Sequence, residues 1–218
     1  MAPGRLLFPS FLLLAASVFG QAPAFAGIQP LALFSGDKVE TFEPWTEQPY
    51  FELAGLFQGM GTATPLIENN LYVSYRWFNT SFASPQSGGR LAGLGHGGFR
   101  LDFTAPVYAF GGYFASVSNY EGGTIRFFND SGELGQASVS MPIGAAMTWN
   151  GWQSNQAFTS LEITSNFQAG PNSGGWFAMD TLQIVTSPVP EPSAPLMLLV
   201  GLALVWSAHT FKAPRRIV

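Results

Sequence analysis

Cysteine is missing from this chain altogether. Its absence excludes a disulfide framework, a thiol nucleophile, a lipid-bearing cysteine and every thiolate metal site. Histidine is nearly absent: His96 and His209 are the two, and only His96 lies away from the C-terminal end. A lone histidine in a glycine-rich loop does not build a zinc or iron centre, which needs several nitrogen or sulfur ligands. With no GxSxG around any serine, it does not point to a nucleophilic triad either. Charge is sparse too, and between the chain ends only Lys38, Arg76, Arg90, Arg100 and Arg126 are basic. Twelve acidic residues from Asp37 to Asp180 oppose them, leaving that stretch at minus seven. Such a balance argues against nucleic acid or an anionic membrane as ligand. A sustained helical period is also lacking outside the two terminal apolar runs. Glycine and aromatics are plentiful, with Ser, Thr and Asn around them, which is the composition of an all-strand domain with short turns.

Both ends of the 218-residue chain read as targeting segments. Arg5, the apolar run Leu6 to Phe19 and Ala24-Phe25-Ala26 before Gly27 form a secretory signal peptide cut after Ala26, with Ala22-Pro23-Ala24 as a rival site. At the other end VPEPS (Val189 to Ser193) precedes the apolar run Pro195 to Phe211 and the basic tail KAPRRIV. Seventeen helical residues reach about 25 Å against a hydrocarbon core of roughly 30 Å, a deficit that snorkelling Lys212 and Arg215 can absorb. The basic cluster Lys212, Arg215 and Arg216 reads as a cytoplasmic stop. The resulting division is 1–26 signal peptide, 27–36 lead segment, 37–186 folded domain, 187–194 Pro-rich linker, 195–211 transmembrane helix and 212–218 basic tail.

The order Val-Pro-Glu-Pro-Ser, apolar helix, Arg-Arg resembles the C-terminal sorting signal of PEP-CTERM proteins of Gram-negative envelopes. The resemblance implies recognition of Pro190, Glu191 and Pro192 by an exosortase, loss of the helix and tail, and release or attachment outside the inner membrane. It is silent on what the cargo does.

Along the domain, period-two alternation marks strands at Lys38–Phe42, Tyr50–Leu53, Leu71–Phe78, Phe99–Phe103, Val107–Val117, Thr124–Asn129, Leu134–Val139, Phe158–Thr164 and Trp176–Val185. Phe99, Leu101 and Phe103 belong inside, Arg100 and Asp102 outside. Phe158, Leu161 and Ile163 form a buried side with one phase slip. Thr104-Ala105-Pro106 and Asn150-Gly151 read as turns, Ser81 to Gly98 as a loop, and Asp130-Ser131-Gly132 as a hairpin turn. Gly111-Gly112 marks a bulge or a close backbone approach. The expected fold is all-β, a two-sheet antiparallel β-sandwich. TFE near the start, DFTAPVYAFGGYF, IRFFNDSGEL, AFTSLEI and GWFAMDTLQI resemble jelly-roll-like domains, and several resemble carbohydrate-binding modules. That second resemblance implies an opening glutamate and a closing aspartate on neighbouring strands, able to hold a structural calcium.

Glu43 and Asp180 are the matching pair. Two carboxylates a few ångströms apart repel unless a proton or a hard cation intervenes, and calcium suits that place; the competing reading has each one capping a turn or facing solvent. Glycosidase chemistry would draw its two facing carboxylates from Glu68, Asp102, Glu121, Glu162 and Asp180, although among twelve acids some pair is always available. Asn129 to Glu133 lacks the DxDxDG spacing and reads as a β-turn, and the glycine loop lacks GxxxxGK[ST]. Trp45, Trp149 and Trp152, in polar or turn-like contexts, are the aromatics expected to stack on sugar rings, against core packing as the alternative. The leading reading is an exported, non-enzymatic envelope or matrix protein, and the alternative is a carbohydrate-binding module for exopolysaccharide.

Overall fold

Alternation is realised most fully in the two longest strands. In a computed structural model describing residues 27–67, 70–74, 83–94, 97–117, 121–144, 146–166 and 176–188, β8 runs from Gly98 to Ser116 and β11 from Thr148 to Ser165. Phe99, Leu101 and Phe103 are buried on β8 while Asp102 is exposed. Around them lie β1 (Ile28–Pro30), β2 (Lys38–Glu40), β3 (Gln48–Tyr50), β4 (Leu53–Gly55), β5 (Gly61–Pro65), β6 (Leu71–Ser74) and β7 (Leu91–Leu94). The remaining strands are β9 (Gly123–Asn129), β10 (Gly132–Val139) and β12 (Phe177–Val185). All the pairings between them are antiparallel, and one hydrogen-bonded path runs β10-β9-β11-β8-β12-β7-β6-β3.

This network folds over on itself because β8 and β11 each serve both layers. The first half of β8 pairs with β5 from Phe99 to Phe103, and its second half pairs with β12 from Ala109 to Ser116. The second half of β11 pairs with β9, and its first half with β1. The layers so formed face each other across one core: Phe127 of β9 meets Trp152 at 6.2 Å, and Phe99 meets Phe177 at 6.0 Å. Phe110, Phe114, Phe158, Leu161, Ile163, Leu182 and Ile184 fill the space between, each without exposed surface.

Three expectations are corrected. Thr104-Ala105-Pro106 is not a turn; β8 passes through it, at the point where the strand changes partner from β5 to β12, so the missing Pro106 N–H breaks no ladder there. Asn150-Gly151 is not a turn either, since Asn150 pairs with Gly112 and Gly151 with Gly111 in mid-ladder. The Ser81–Gly98 loop contains β7, which pairs with both β6 and β12. The Leu71–Phe78 strand is described only as far as Ser74.

Other expectations hold. The phase slip at Phe158 is a register shift between Phe158 and Ser160. Asn129 and Gly132 close a β9–β10 hairpin in which Asn129 Oδ1 accepts the Ser131 N–H at 2.9 Å. Gly111 is a close approach: a Cβ there would lie 2.6 Å from the Trp149 ring. The first and last strands of the expected domain do pair, through Glu40 opposite Leu182. All described residues fall in one compact unit, Phe25–Pro190, and among them no helix is long and apolar enough to cross a membrane.

Candidate functional site

Register places a set of charged side chains on one outward face. Across β5, β8, β11, β9 and β10, the paired positions Thr64, Arg100, Glu162, Arg126 and Gln136 form one cross-strand row. Thr62, Asp102, Ser160, Phe128 and Glu133 form the next, and Thr164, Thr124 and Ser138 a third. These positions alternate with the core residues Leu101, Leu161, Ile163, Ile125 and Phe127, so the face is polar because its reverse is the core.

Glu162 sits at the centre. Its Oε1 accepts from Arg100 at 3.1 Å and its Oε2 from Arg126 at 3.4 Å. Arg100 also donates to Asp102 at 2.8 Å and to the buried Ser160 hydroxyl at 2.6 Å. Arg126 donates to Glu133 at 2.6 Å. Both guanidiniums lie against Phe128, their Cζ atoms 5.5 Å and 5.0 Å from the ring centroid, within cation–π range. Burial works against the Arg100 charge, but the hydrogen bond and charge of Asp102, followed by those of Glu162, outweigh it and raise its pKa. The hydrogen bond to Glu133 chiefly raises Arg126, and the same bond holds Glu133 below its usual range. The result is a pre-ordered plane of alternating donors and acceptors around an aromatic ring. Asp102 and Glu162, two of the acids considered for glycosidase chemistry, both engage Arg100 instead of facing each other alone.

Glu43 and Asp180 grip the same loop. Asp180 Oδ2 accepts the N–H groups of Gln86 and Ser87 at 2.7 Å and 2.9 Å, and its Oδ1 that of Thr181 at 2.6 Å. Glu43 Oε1 accepts those of Gly89 and Arg90, both at 2.7 Å, while the Arg90 guanidinium donates back to the Glu43 and Trp45 carbonyls. Backbone N–H groups thus already occupy both Asp180 oxygens and Glu43 Oε1. Among the described residues no group of three or more His, Asp or Glu side chains is placed to hold a metal. Asp180 has no exposed surface, and desolvation raises its pKa to about 6 against the opposing pull of the Ser87, Thr181 and Gln86 donors.

Of the three tryptophans expected to stack on sugar rings, Trp152 is turned away from solvent, while Trp45 and Trp149 keep part of their surface exposed. Trp152 is 3% exposed and stacks on Phe110 at 6.2 Å with an 8° interplanar angle, because parity along β11 turns it into the core. Trp45 is half-buried, donates Nε1–H to Glu40 at 3.1 Å and meets Tyr50 edge-on. Trp149, also half-buried, lies outside the core between Phe34 and Tyr113, at 5.4 Å and 5.3 Å, with the six-membered ring of its indole against Gly111 and its Nε1 against Gly151. His96, Glu68, Pro190, Glu191, Pro192, Lys212, Arg215 and Arg216 lie outside the described residues.

Sequence reasoning missed Glu40, whose carboxylate is buried and accepts from Phe42 N, Phe57 N and Trp45 Nε1. It also missed the grouping of Arg100, Arg126 and Phe128. Outward parity in FRLDF and TIRFFN was the available signal, but nothing local gives the register that aligns them.

No protein-family model matches the chain, and no curated protein does. Among solved structures, TmCBM61 in complex with β-1,4-galactotriose is similar at 11% identity over 68% of this chain and 95% of that one, with a TM-score of 0.41. The N-terminal CBM22-1–CBM22-2 tandem domain from Paenibacillus barcinonensis Xyn10C is similar at 14% identity over 74% of this chain and 50% of that one, TM-score 0.41. The family 11 carbohydrate-binding module of the cellulosomal cellulase Lic26A-Cel5E of Clostridium thermocellum is similar at 9% identity over 72% and 97%, TM-score 0.36. At such identities and TM-scores these likenesses carry no assignment.

Proposed function

We propose that this chain is an exported, non-catalytic glycan-binding module with a jelly-roll-like sandwich, whose ligand lies on the outer face of β5, β8, β11, β9 and β10. The observation that carries the reading is the Arg100–Glu162–Arg126 row beside Phe128, held by four ion pairs. Sugar hydroxyls donate and accept at once, so a plane of alternating guanidinium and carboxylate groups satisfies neighbouring hydroxyls without rearranging. Phe128, half-buried between the two guanidiniums, adds apolar surface to this plane. Each carboxylate of the face is engaged by an arginine, an arrangement suited to holding a ligand, whereas glycoside hydrolysis needs one acid and one base free to exchange protons across a bond.

Export is the second part of the proposal. The leader ending at Ala26 and the Pro190-Glu191-Pro192 signal with its basic stop would bring the module through the inner membrane, tether it briefly, and yield it to an exosortase. Exopolysaccharide is the ligand such a location offers. The experiment is affinity electrophoresis of the purified chain in gels containing exopolysaccharide from the producing cells. Retardation of the native chain, reduced about tenfold in strength by Arg126→Ala or Phe128→Ala, supports the reading. Equal mobility of all three with and without polysaccharide would overturn it.

A further inference from the structure

Resting on the glycan-binding reading, we infer that this face selects a neutral polysaccharide, running across the strands, and rejects chains that carry uronate groups. The argument is one of charge and register. The face holds two guanidiniums, Arg100 and Arg126, and three carboxylates, Asp102, Glu133 and Glu162, so its own net charge is minus one. The surrounding domain deepens that sign, with five basic residues against twelve acidic ones between the chain ends. An arginine awaiting an anionic ligand usually stands without a fixed counter-ion; here each is already bound to two carboxylates, and Glu162 spends one oxygen on each. A uronate would have to displace one of them or approach the exposed Asp102 and Glu133 at short range, where like charges repel. A hydroxyl has no such conflict: it donates to a carboxylate oxygen while accepting from the adjacent guanidinium, leaving the ion pairs in place.

The direction follows from where these groups recur. Thr64, Arg100, Glu162, Arg126 and Gln136 occupy one register row across five strands, a width of roughly 19 Å at ordinary strand spacing. Thr62, Asp102, Ser160, Phe128 and Glu133 run parallel to it one step away. Along any single strand the outward positions supply at most three groups of this face, whereas across the strands they supply five in line. A linear chain laid across the strands therefore meets the full row.

The test is isothermal titration of the purified chain with soluble neutral glucan, galactan and xylan and with polygalacturonate, repeated from roughly 0.05 to 0.5 M salt. The inference expects at least one neutral polymer to bind, with a Kd that changes by less than about twofold over that range, and no binding of polygalacturonate. It further expects the double variant Asp102→Asn/Glu133→Gln, which turns the face to plus one, to gain salt-sensitive binding of polygalacturonate. Tighter binding of polygalacturonate than of any neutral polymer by the native chain, abolished in Arg100→Ala and Arg126→Ala, would overturn the inference while leaving the face as the site. Failure of the double variant to gain polygalacturonate, with neutral binding retained, would overturn the charge argument as well. Neutral binding untouched by Phe128→Ala and Arg126→Ala, or no binding of any polymer, would instead sink the glycan reading of this face.

Discussion

Asp180 shows how much of this domain is decided by single buried side chains. Its carboxylate has no exposed surface, and the cost of desolvation outweighs three N–H donors, leaving its pKa at about 6 against an ordinary 3.8. Because the folded state holds the proton more tightly than the unfolded one, this residue adds stability as pH falls from about 7 to about 4, and withdraws it as pH rises through 6. The size is of the order of 3 kcal/mol. Urea unfolding of native chain and Asp180→Asn across that window should show the native chain gaining on the variant toward acid; parallel curves would remove the argument. Asp37 and Glu133 have lowered pKa values and pull the other way, so the difference between the two proteins is the quantity to read. Trp152 gives a second prediction: Trp152→Ala should cost about 3–5 kcal/mol by thermal unfolding, and Trp149→Ala clearly less. Both tryptophans flank Asn-Gly, a dipeptide that reads as a turn and so hides the parity that buries one of them. Glu40 was concealed in the same way, since a glutamate in a three-residue strand looks solvent-facing until Phe42, Trp45 and Phe57 are seen to donate to it.

Strands that change partners explain which elements the sequence reveals. FRLDF and TIRFFN carry clean alternation, and they appear where alternation puts them. β7 was hidden because Leu91-Ala92-Gly93 lies among glycines, and its pairing with β12 and β6 is a long-range matter. The passage of β8 through Pro106 was hidden because proline signals an end locally, while the partner change that makes it harmless involves β5 and β12. The polar face was legible only in pieces: Arg100 and Asp102 face outward by parity, but their alignment with Glu162 and Arg126 needs the β8–β11–β9 register. The loop from Gln86 to Arg90 supplies an element-scale prediction. Gly88 sits at φ +60°, and a Cβ there would come 2.3 Å from Glu43 Oε1. Gly88→Ala should cost about 1–2 kcal/mol from backbone conformation alone, and more from displacing the carboxylate. Limited proteolysis should then cut within 86–90 in the variant and spare that stretch in the native chain; equal resistance would mean that Glu43 does not fasten the loop.

For the whole molecule, export and binding are separate claims with separate tests. Mass spectrometry of the chain recovered from the envelope should show a start at Gly27 and an end near Pro190 to Ser193; both termini intact would remove the sorting account and leave the binding face untouched. What ties the molecule together is that one continuous antiparallel network turns a polar, arginine-bearing surface outward on the same strands that bury Phe99, Leu101, Ile125, Phe127, Leu161 and Ile163. A rigid plane of this kind is what a flexible polymer needs in order to be held without costly reordering of the protein. Amide chemical-shift mapping by NMR during titration with the cells' own exopolysaccharide tests that claim most directly. The account predicts perturbations concentrated at Thr62–Thr64, Arg100–Asp102, Thr124–Phe128, Glu133–Ser138 and Ser160–Thr164. Perturbations confined to the opposite layer around Phe34, Tyr113 and Trp149, or none at saturating polysaccharide, would contradict it.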